Sequence, residues 1–402
     1  MPPRPAPSLT VDTISEAEHR EFLARAVAEG WGSAERWVSY VQTPGYGRVR
    51  VYPNWEPVSL GWRDATGALV GVAQAQLRRI PQRPAWSLAY LPEGPVLPWD
   101  DAVDALPAWL DPLCARLRAM GCFGVRLGPA VTAHWWDAER VKEGLADAQV
   151  ARYSDLDPSG SDPVGVALAR RLAGSGWRLH TGPDGFGDGQ PQHNVAVALA
   201  DGSGAAYDDE AMHKRVNRQW RRNVQRAAKE GVEVSRWFPR AADEVADELA
   251  AFTDLHAHTG ERDGFATRDL DYFRALVDEL GSDGLCTVGL WAAHHEGDHV
   301  AGLVTVHLGA RTWLSYGASS TEKRDVRGSN AVQWAAILDA RDRGARVADL
   351  RGVVPSLDPS DPETGLIGFK VSLGPHVNAY PGEWDKPLRP LVYRAFDLLV
   401  NR

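Results

Sequence analysis

Residues 286–318 read CTVGLWAAHHEGDHVAGLVTVHLGARTWLSYGA, and this stretch decides the fold. Three apolar runs, at 286–293, 300–308 and 312–318, are separated by short segments that each contain a glycine. Apolar runs of this length, rich in Val, Leu, Trp and Thr and bounded by Gly, are typical of β-strands joined by tight turns. The stretch therefore predicts three successive strands, with a hairpin turn at Glu296-Gly297-Asp298.

The elements around this stretch alternate between helices and strands. Helical patterns at 241–257 and 269–280 precede it, and a helix at 330–343 and a strand at 347–351 follow. The first half has the same rhythm: a helix at 14–29, strands at 58–62 and 69–77, a helix at 104–120 and a strand at 124–127. The order predicts an α/β protein with mixed sheets, made of two similar domains that flank a cleft.

The turn-rich segment 154–165 marks the expected boundary between the two domains. We expect a disordered, Pro-rich tail at 1–8, a first domain over 9–165 and a second domain over 166–379. The helix at 14–29 has a clear start, because Ser15 and Glu18 have the spacing of a capping box.

Composition limits the class of protein. The 402 residues are 44% hydrophobic and 24% charged, which is a globular composition. The three cysteines form no C-x-x-C pair, so we expect a reducing compartment and neither a disulfide nor a zinc framework. No signal peptide and no stretch of about 18 apolar residues is seen. The expected location is the cytoplasm, either free or peripheral at the inner face of the membrane.

One segment is strongly basic although the chain has a formal net charge of −9. Residues 211–229 contain seven Lys or Arg and no acid, and Val216, Trp220 and Val224 form an apolar stripe beside them. The pattern predicts one long helix that is seated by this stripe. Its basic face is either a solvated surface or a contact for tRNA phosphates or for the diphosphate of a nucleotide- or lipid-linked substrate.

Several motifs together resemble the Fem-type (FemABX) tRNA-dependent aminoacyltransferases, over nearly the whole chain from about Ser39 onward. They are QTPGYGRVR at 42–50, LAYLPEGPV at 88–96, QPQHN at 190–194, WRRNVQRA at 220–227, YGASS at 316–320 and GLIGFKVSLG at 365–374. Tyr46 and Arg50 stand where the family pattern has Trp and Lys. The motif at 88–96, with Glu93 at its variable position, is similar to that of the actinobacterial FemX-like lipid II glycyltransferases.

The resemblance implies two GNAT-like acyltransferase domains, with residues 380–402 returning to complete the first. The coiled-coil arm of some relatives is not expected, since no sustained heptad lies between Arg226 and Asp271. The implied activity transfers an amino acid, glycine by likeness, from aminoacyl-tRNA to the side-chain amine of a peptidoglycan stem peptide. The acceptor is lipid II or UDP-MurNAc-pentapeptide, the product is the interpeptide bridge, and no cofactor is expected.

An aminoacyl-tRNA ester is already activated, so the protein needs only to position the amine and to stabilise an oxyanion. By resemblance Lys370 supplies that charge, on a presumed strand where Phe369 points inward and Lys370 outward. Asp349, at an expected strand end, either accepts the amine's proton or caps a turn. Expected substrate-binding residues are Arg50, Arg218, Arg221, Arg222, Asn223, Tyr316, Ser319 and Phe369.

Other functions stay open. An acetyl-CoA-dependent N-acetyltransferase needs a phosphate-binding loop before a helix, but Asp325 occupies the position of a Gln or Arg there. A Fem-like ligase that acts on a small antibiotic precursor is not excluded. A non-catalytic tRNA- or precursor-binding protein would be indicated by loss of the motif around Lys370, which is present here. His294, His295 and His299 flank a turn and lack further ligands, so no metal is expected.

Overall fold

The structure is a computed structural model that describes residues 7–31, 37–49, 55–80, 83–180, 189–361 and 363–400. The chain forms two compact units. Unit 1 consists of Met1–His134, Gly160–Gln192 and Ala379–Arg402, and unit 2 consists of Trp135–Ser159 and His193–Asn378.

The secondary structure mixes strands and helices in both units. The strands are β1 Thr10–Thr13, β2 Trp55–Arg63, β3 Leu69–Ile80, β4 Arg83–Leu91, β5 Cys122–Leu127, β6 His134–Asp137, β7 Gly160–Ser161, β8 Arg178–Leu179, β9 His193–Ala198, β10 Glu233–Trp237, β11 Thr287–His295, β12 Asp298–Leu308, β13 Arg311–Ser319, β14 Val347–Val353, β15 His376–Ala379 and β16 Trp384–Pro387. The helices are α1 Glu16–Ala28, α2 Pro44–Val49, α3 Trp99–Ala102, α4 Leu106–Ala119, α5 Ala138–Ala146, α6 Pro163–Gly174, α7 Asp209–Arg215, α8 Arg218–Lys229, α9 Ala246–Asp263, α10 Leu270–Ser282, α11 Gly328–Asp342, α12 Thr364–Val371 and α13 Pro390–Val400.

Unit 1 is built on a mixed sheet with the strand order β1-β2-β3-β4-β5-β16-β8. The strands β1 to β4 pair antiparallel, β4 and β5 pair parallel across the helix α4, and β16 returns antiparallel to β5. The capping box predicted at Ser15 and Glu18 is confirmed at the start of α1. Its first turn also contains Glu16, an acid at the positive end of the helix dipole.

The units differ from the domain limits expected from the sequence, 9–165 and 166–379. Leu168 and Leu172 of α6 are fully buried in the same apolar core as Leu127 of β5, so α6 belongs to unit 1. Residues 135–159, which were expected in the first domain, belong to unit 2. The expected disordered tail at 1–8 falls mostly outside the described residues.

The C-terminal segment is part of unit 1. Trp384 to Pro387 pair with Leu127 to Gly124, and Arg126 on β5 forms a two-point ion pair with Asp385, with N–O distances of 2.8 and 3.0 Å. The helix α13 packs against β5. Its Phe396 contacts the fully buried ring of Phe123 at a centroid distance of 5.1 Å.

Unit 2 repeats the pattern of strand pairing of unit 1, but its sixth strand, β9, precedes the first five in the chain, whereas the sixth strand of unit 1, β16, follows them. Its sheet runs β10-β11-β12-β13-β14-β9-β15-β6. The strands from β10 to β13 pair antiparallel, β13 and β14 pair parallel across α11, and β9 is antiparallel to β14. The three strands and the hairpin turn predicted from 286–318 are confirmed as β11, β12 and β13. Glu296 and Gly297 take positive φ angles of 51° and 87° in that turn.

The helices between Ala246 and Ser282 pack on this sheet. Helix α9 contacts β12 and β13, and α10 contacts β11, so neither projects as a coiled-coil arm. Within the described part of the chain, no helix has the length and the apolar character needed to span a membrane.

Packing of α13 on β5 leads to a stability prediction. Phe396→Ala should lower the free energy of unfolding of unit 1 by about 2 kcal/mol, less than a fully buried Phe costs, because Phe396 is half-buried. Leu391→Ala on the same helix is the control, since Leu391 is 86% exposed and its loss should change stability by less than about 0.5 kcal/mol. Urea unfolding followed by Trp fluorescence measures both, and equal effects would contradict the packing.

Candidate functional site

The two parallel strands of unit 2 separate towards their carboxyl ends. Pairing extends from Arg311 opposite Val347 to Trp313 opposite Asp349, whereas β13 continues to Ser319 and β14 to Val353. In unit 1 the equivalent strands β4 and β5 stay paired up to their last residues. Ligands of α/β sheets commonly bind at the carboxyl ends of strands. The opening between β13 and β14 is therefore the natural place to look for a site.

A kink in β14 shapes this opening. Arg351 has a φ angle of 63°, and the register against β9 shifts between Asp349 and Gly352. A residue other than glycine in the left-handed region costs on the order of 1–3 kcal/mol and needs support from its surroundings. The support comes from Asp349, whose Oδ1 accepts a hydrogen bond from the backbone N–H of Arg351 at 2.8 Å.

Asp349 does not lie where the sequence placed it. It was expected at a strand end, but it is the third residue of β14 and is fully buried. Its Oδ2 forms a buried ion pair with Nη1 of Arg311 at 3.0 Å. Both carboxylate oxygens thus have donors, as a buried charge requires.

Lys370 also differs from the expectation. The sequence predicted a strand there, but Lys370 lies in the last turn of helix α12, whose buried residues Ile367 and Val371 lie four residues apart on one helical face. Its Nζ donates to the carbonyl oxygen of Gly352 at 2.7 Å and, more weakly, to that of Arg351 at 3.5 Å. Two of the three ammonium N–H groups are thereby used, and among the described residues no acceptor is seen for the third.

The electrostatic surroundings of Lys370 favour its neutral form more than water does. Burial of the ammonium end lowers the pKa of Lys370 to about 8, with Asp349 raising it and Arg351 lowering it further. Because the charge of Asp349 raises the pKa of Lys370, it opposes the effect of burial and favours the charged ammonium near neutral pH. At pH 7 most molecules still carry the charge, since the pKa lies above that pH.

The basic segment is two helices, not the single helix predicted. Helix α7 ends at Arg215 and α8 begins at Arg218, because Asn217 caps α8 by accepting a hydrogen bond from the backbone N–H of Trp220 at 2.7 Å. Asn217 has an extended backbone conformation that interrupts helical hydrogen bonding.

Helix α8 is fastened to the helix that carries Lys370. Trp220 packs on Phe369 at a centroid distance of 5.0 Å, and the N–H of Asn217 donates to the carbonyl oxygen of Ser372 at 2.9 Å. Gly374 follows α12 with a φ of 68°, and a Cβ there would lie 2.1 Å from the carbonyl oxygen of Arg215. Only glycine allows this approach. The basic helix and Lys370 therefore form one local structure.

The cations of this helix divide into two kinds. Arg226 pairs with Glu230 and Asp325, and Arg221 donates to the carbonyl oxygen of His213 at 3.0 Å. Arg218 and Arg222 are exposed and, among the described residues, have no ion-pair partner. They lie four residues apart and so share one face of α8. These two are the cations best placed to receive an anion.

The remaining predicted residues lie elsewhere. Asn223 of α8 accepts a hydrogen bond from Gln219. Tyr316 and Ser319 belong to β13, and their described contacts run to α9 and α10: the Tyr316 hydroxyl lies 2.6 Å from that of Tyr272, and Arg262 bonds Ser319. The structure thus groups Lys370, Phe369 and Asp349 with α8, and Tyr316 and Ser319 with a second cluster. Arg50 lies outside the described residues.

Sequence reasoning missed Arg311, which is the partner of Asp349. The available signal was a lone arginine at the start of the apolar run RTWLSY, since an arginine in a buried strand needs a partner. Near the β11–β12 turn, the rings of His294 and His299 are stacked with their centroids 5.1 Å apart. Among the described residues, no three His, Cys, Asp or Glu are arranged to hold a metal ion.

Comparison with solved structures defines the class of fold. A crystal structure of FemX matches with a TM-score of 0.72 at 21% identity, over 96% of this chain and 99% of that one. A tandem GNAT protein from the clavulanic acid biosynthesis pathway matches with a TM-score of 0.50 at 14% identity, over 94% and 98% of the two chains. The fold is therefore a tandem GNAT-like acyltransferase fold.

The chain belongs to the FemAB family, whose model matches residues 23–290 and 290–401. Similar proteins include the lipid II:glycine glycyltransferase of Staphylococcus aureus, which is 23% identical over 400 residues that cover 84% of this chain and 85% of that protein. The protein of the same name from Staphylococcus haemolyticus is 22% identical over 398 residues, with the same coverage.

The lowered pKa of Lys370 can be tested directly. An amine-reactive reagent reacts only with the neutral amine. The rate at which it labels Lys370 should therefore increase with pH, with an apparent pKa of about 8. Lys323 is the control, because its ion pairs with Asp298 and Glu296 raise its pKa above the ordinary value. Peptide mass spectrometry over a range from about pH 6 to about pH 11 measures both. Labelling of Lys370 only at the pH where Lys323 reacts would contradict the burial of its ammonium.

Proposed function

We propose that this protein transfers glycine from glycyl-tRNA to the side-chain amine of a peptidoglycan stem peptide, with lipid II as the acceptor. Family membership and the printed names of the staphylococcal relatives support the reaction class and the substrate. The observation that carries it for this chain is the fastening of Lys370, held on two backbone carbonyls, to the basic helix α8. A lipid-linked acceptor would bring the protein to the inner face of the membrane.

The reaction is an ester aminolysis. The acceptor amine attacks the ester carbonyl, a C–N bond forms, and the C–O bond to the tRNA 3′ end breaks. Lys370 donates its remaining N–H to the oxyanion of the tetrahedral intermediate. Removing one donor of this kind typically costs about 2.7–4 kcal/mol at the transition state. The carbonyls of Gly352 and Arg351 keep the ammonium from rotating, so little reorganisation is needed when charge develops.

The proton released by the amine needs an acceptor. Asp349 was a candidate, but its two oxygens are occupied by Arg311 and by the N–H of Arg351 in a fully buried setting. A carboxylate with both oxygens engaged is a poor base. We assign proton acceptance to a phosphate of the substrate, from which the proton passes to the departing tRNA oxygen.

The exposed arginines of α8 suit the phosphates that both substrates contain. Arg218 and Arg222 present guanidinium groups that bind phosphate oxygens in pairs. An acidic protein with one such local patch binds polyanions there rather than over its whole surface. Trp220 on the same helix packs on Phe369, the residue next to Lys370, and so fastens the helix that carries these arginines close to Lys370.

The decisive experiment offers the purified protein charged tRNA pools together with lipid II, UDP-MurNAc-pentapeptide or acetyl-CoA in separate reactions. Product mass should show one glycyl residue added to lipid II, and no product with acetyl-CoA. Transfer to the soluble nucleotide alone would change the acceptor. Acetylation without tRNA would overturn the proposal, and so would transfer to neither precursor.

Loss of the Lys370 ammonium should slow the transfer step. Lys370→Ala should lower kcat on the order of a hundredfold or more with the fold intact, because one oxyanion donor is lost. Lys370→Arg should recover only part of the rate, since its planar fork does not match the two carbonyls as an ammonium does. Turnover is measured at saturating aminoacyl-tRNA and precursor, and near-normal turnover of Lys370→Ala would remove it from the mechanism.

Reversal of the charges of Arg218 and Arg222 should weaken substrate binding. The variant Arg218→Glu/Arg222→Glu should raise KM, and the defect should grow as salt is lowered because unfavourable charges are then less screened. The matched control is Arg170→Glu/Arg274→Glu, which reverses two other exposed arginines and changes net charge equally. If both double variants behave alike, α8 is only a solvated basic surface.

A further inference from the structure

Arg311 is a buried arginine that the proposed chemistry does not use. It opens β13, is 2% exposed, and pairs with the fully buried Asp349. Buried ion pairs are seldom the best way to stabilise a core, since apolar residues of similar size are often as good or better. The pair therefore calls for an explanation other than stability.

The pair sits at the last point where β13 and β14 are joined. Asp349 is opposite Trp313 in the final parallel pair, and Arg311 reaches it from two residues earlier on β13. Beyond this point β14 continues without β13 in the paired register, and its backbone turns into the left-handed conformation at Arg351.

A chain of hydrogen bonds leads from the pair to Lys370. Oδ2 of Asp349 is held by Arg311, which leaves Oδ1 directed at the N–H of Arg351, 2.8 Å away. That bond stabilises the turn at Arg351, and the turn presents the carbonyls of Arg351 and Gly352 to Nζ of Lys370, at 3.5 and 2.7 Å. Each link is a direct contact, so a change at Arg311 is transmitted to the ammonium through three successive hydrogen-bonded links.

We propose that Arg311 and Asp349 are positioning residues for Lys370: the buried pair fixes the turn at Arg351, and the turn holds the ammonium where the oxyanion forms. The inference rests on the proposed function, in which Lys370 touches the reacting atoms. Neither Arg311 nor Asp349 contacts substrate in this scheme. Displacement of a reacting group by about 1 Å can cost on the order of a hundredfold in rate.

The test is a double-mutant cycle on kcat. Asp349→Asn keeps the shape of the side chain but loses its charge, and Arg311→Lys keeps the charge but loses the geometry of the guanidinium. Each should lower kcat on the order of tenfold to a hundredfold, with KM for both substrates nearly unchanged. In a Lys370→Ala background the same changes should have no further effect on kcat, because residues that act as one unit are not additive.

A second buried ion pair provides the matched control. Arg126 and Asp385 in unit 1 are 14% and 8% exposed and are joined at 2.8 Å. Asp385→Asn should destabilise the protein, and any effect it has on kcat should multiply with that of Lys370→Ala. If the effect of Asp349→Asn on kcat also multiplies with that of Lys370→Ala, the pair is structural and the inference is overturned. Thermal unfolding is measured for every variant, and Arg311→Lys carries the cycle if Asp349→Asn does not fold.

A readout without turnover separates this inference from the proposed function. The rate at which an amine-reactive reagent labels Lys370 should change in Asp349→Asn and in Arg311→Lys, whereas the labelling of Lys323 should not. Asp385→Asn should leave both rates as in the parent protein. If the protein transfers no amino acid but these labelling changes occur, the proposed function fails and the positioning of Lys370 stands. Unchanged labelling together with a multiplicative cycle overturns the positioning alone.

Discussion

The candidate site depends on one buried ion pair at the point where two parallel strands separate. A sheet whose strands part exposes backbone N–H and C=O groups that otherwise bond each other, and these groups need partners. In unit 2 the partners are side chains: the Asp349 carboxylate accepts a hydrogen bond from a backbone N–H, and the Lys370 ammonium donates to two backbone carbonyls. Arg311 balances the charge that this arrangement buries. Unit 1 keeps the equivalent strands paired and has no such opening in its described register.

Packing between short helices extends this constraint to the surface. Phe369 precedes Lys370 on α12, and its contact with Trp220 makes the position of the ammonium and that of the basic helix interdependent. The contact between Gly374 and Arg215 fixes the break between α7 and α8. The exposed arginines of α8 and the ammonium of Lys370 are thus attached to the same local backbone structure.

Some of these features can be predicted from the sequence, and others cannot. Strong local signals succeed: the alternation of apolar runs and glycines between 286 and 318 is enough to predict β11 to β13, and the capping box predicts the start of α1. Placement of Lys370 on a strand was wrong, because an eight-residue helix such as α12 is too short for helical periodicity to show. The break at Asn217 was missed because the apolar stripe of Val216 and Trp220 continues across it, although Asn is itself a common N-cap residue. Arg311 and Asp349 lie 38 residues apart. An arginine in an apolar run indicates that a partner is needed, but no local pattern identifies Asp349 as that partner.

The discontinuous course of the chain has a consequence for synthesis on the ribosome. Strand β16 is interior to the sheet of unit 1, between β5 and β8, and it consists of residues 384–387. Unit 2 is interrupted only once and is complete after residue 378. A nascent chain can therefore finish the second unit while β5 still has an open edge and Phe123 is uncovered. Open strand edges and exposed aromatic rings promote aggregation. The first half of this protein is thus the last part to become fully folded, and it relies on the second half folding without capturing that edge.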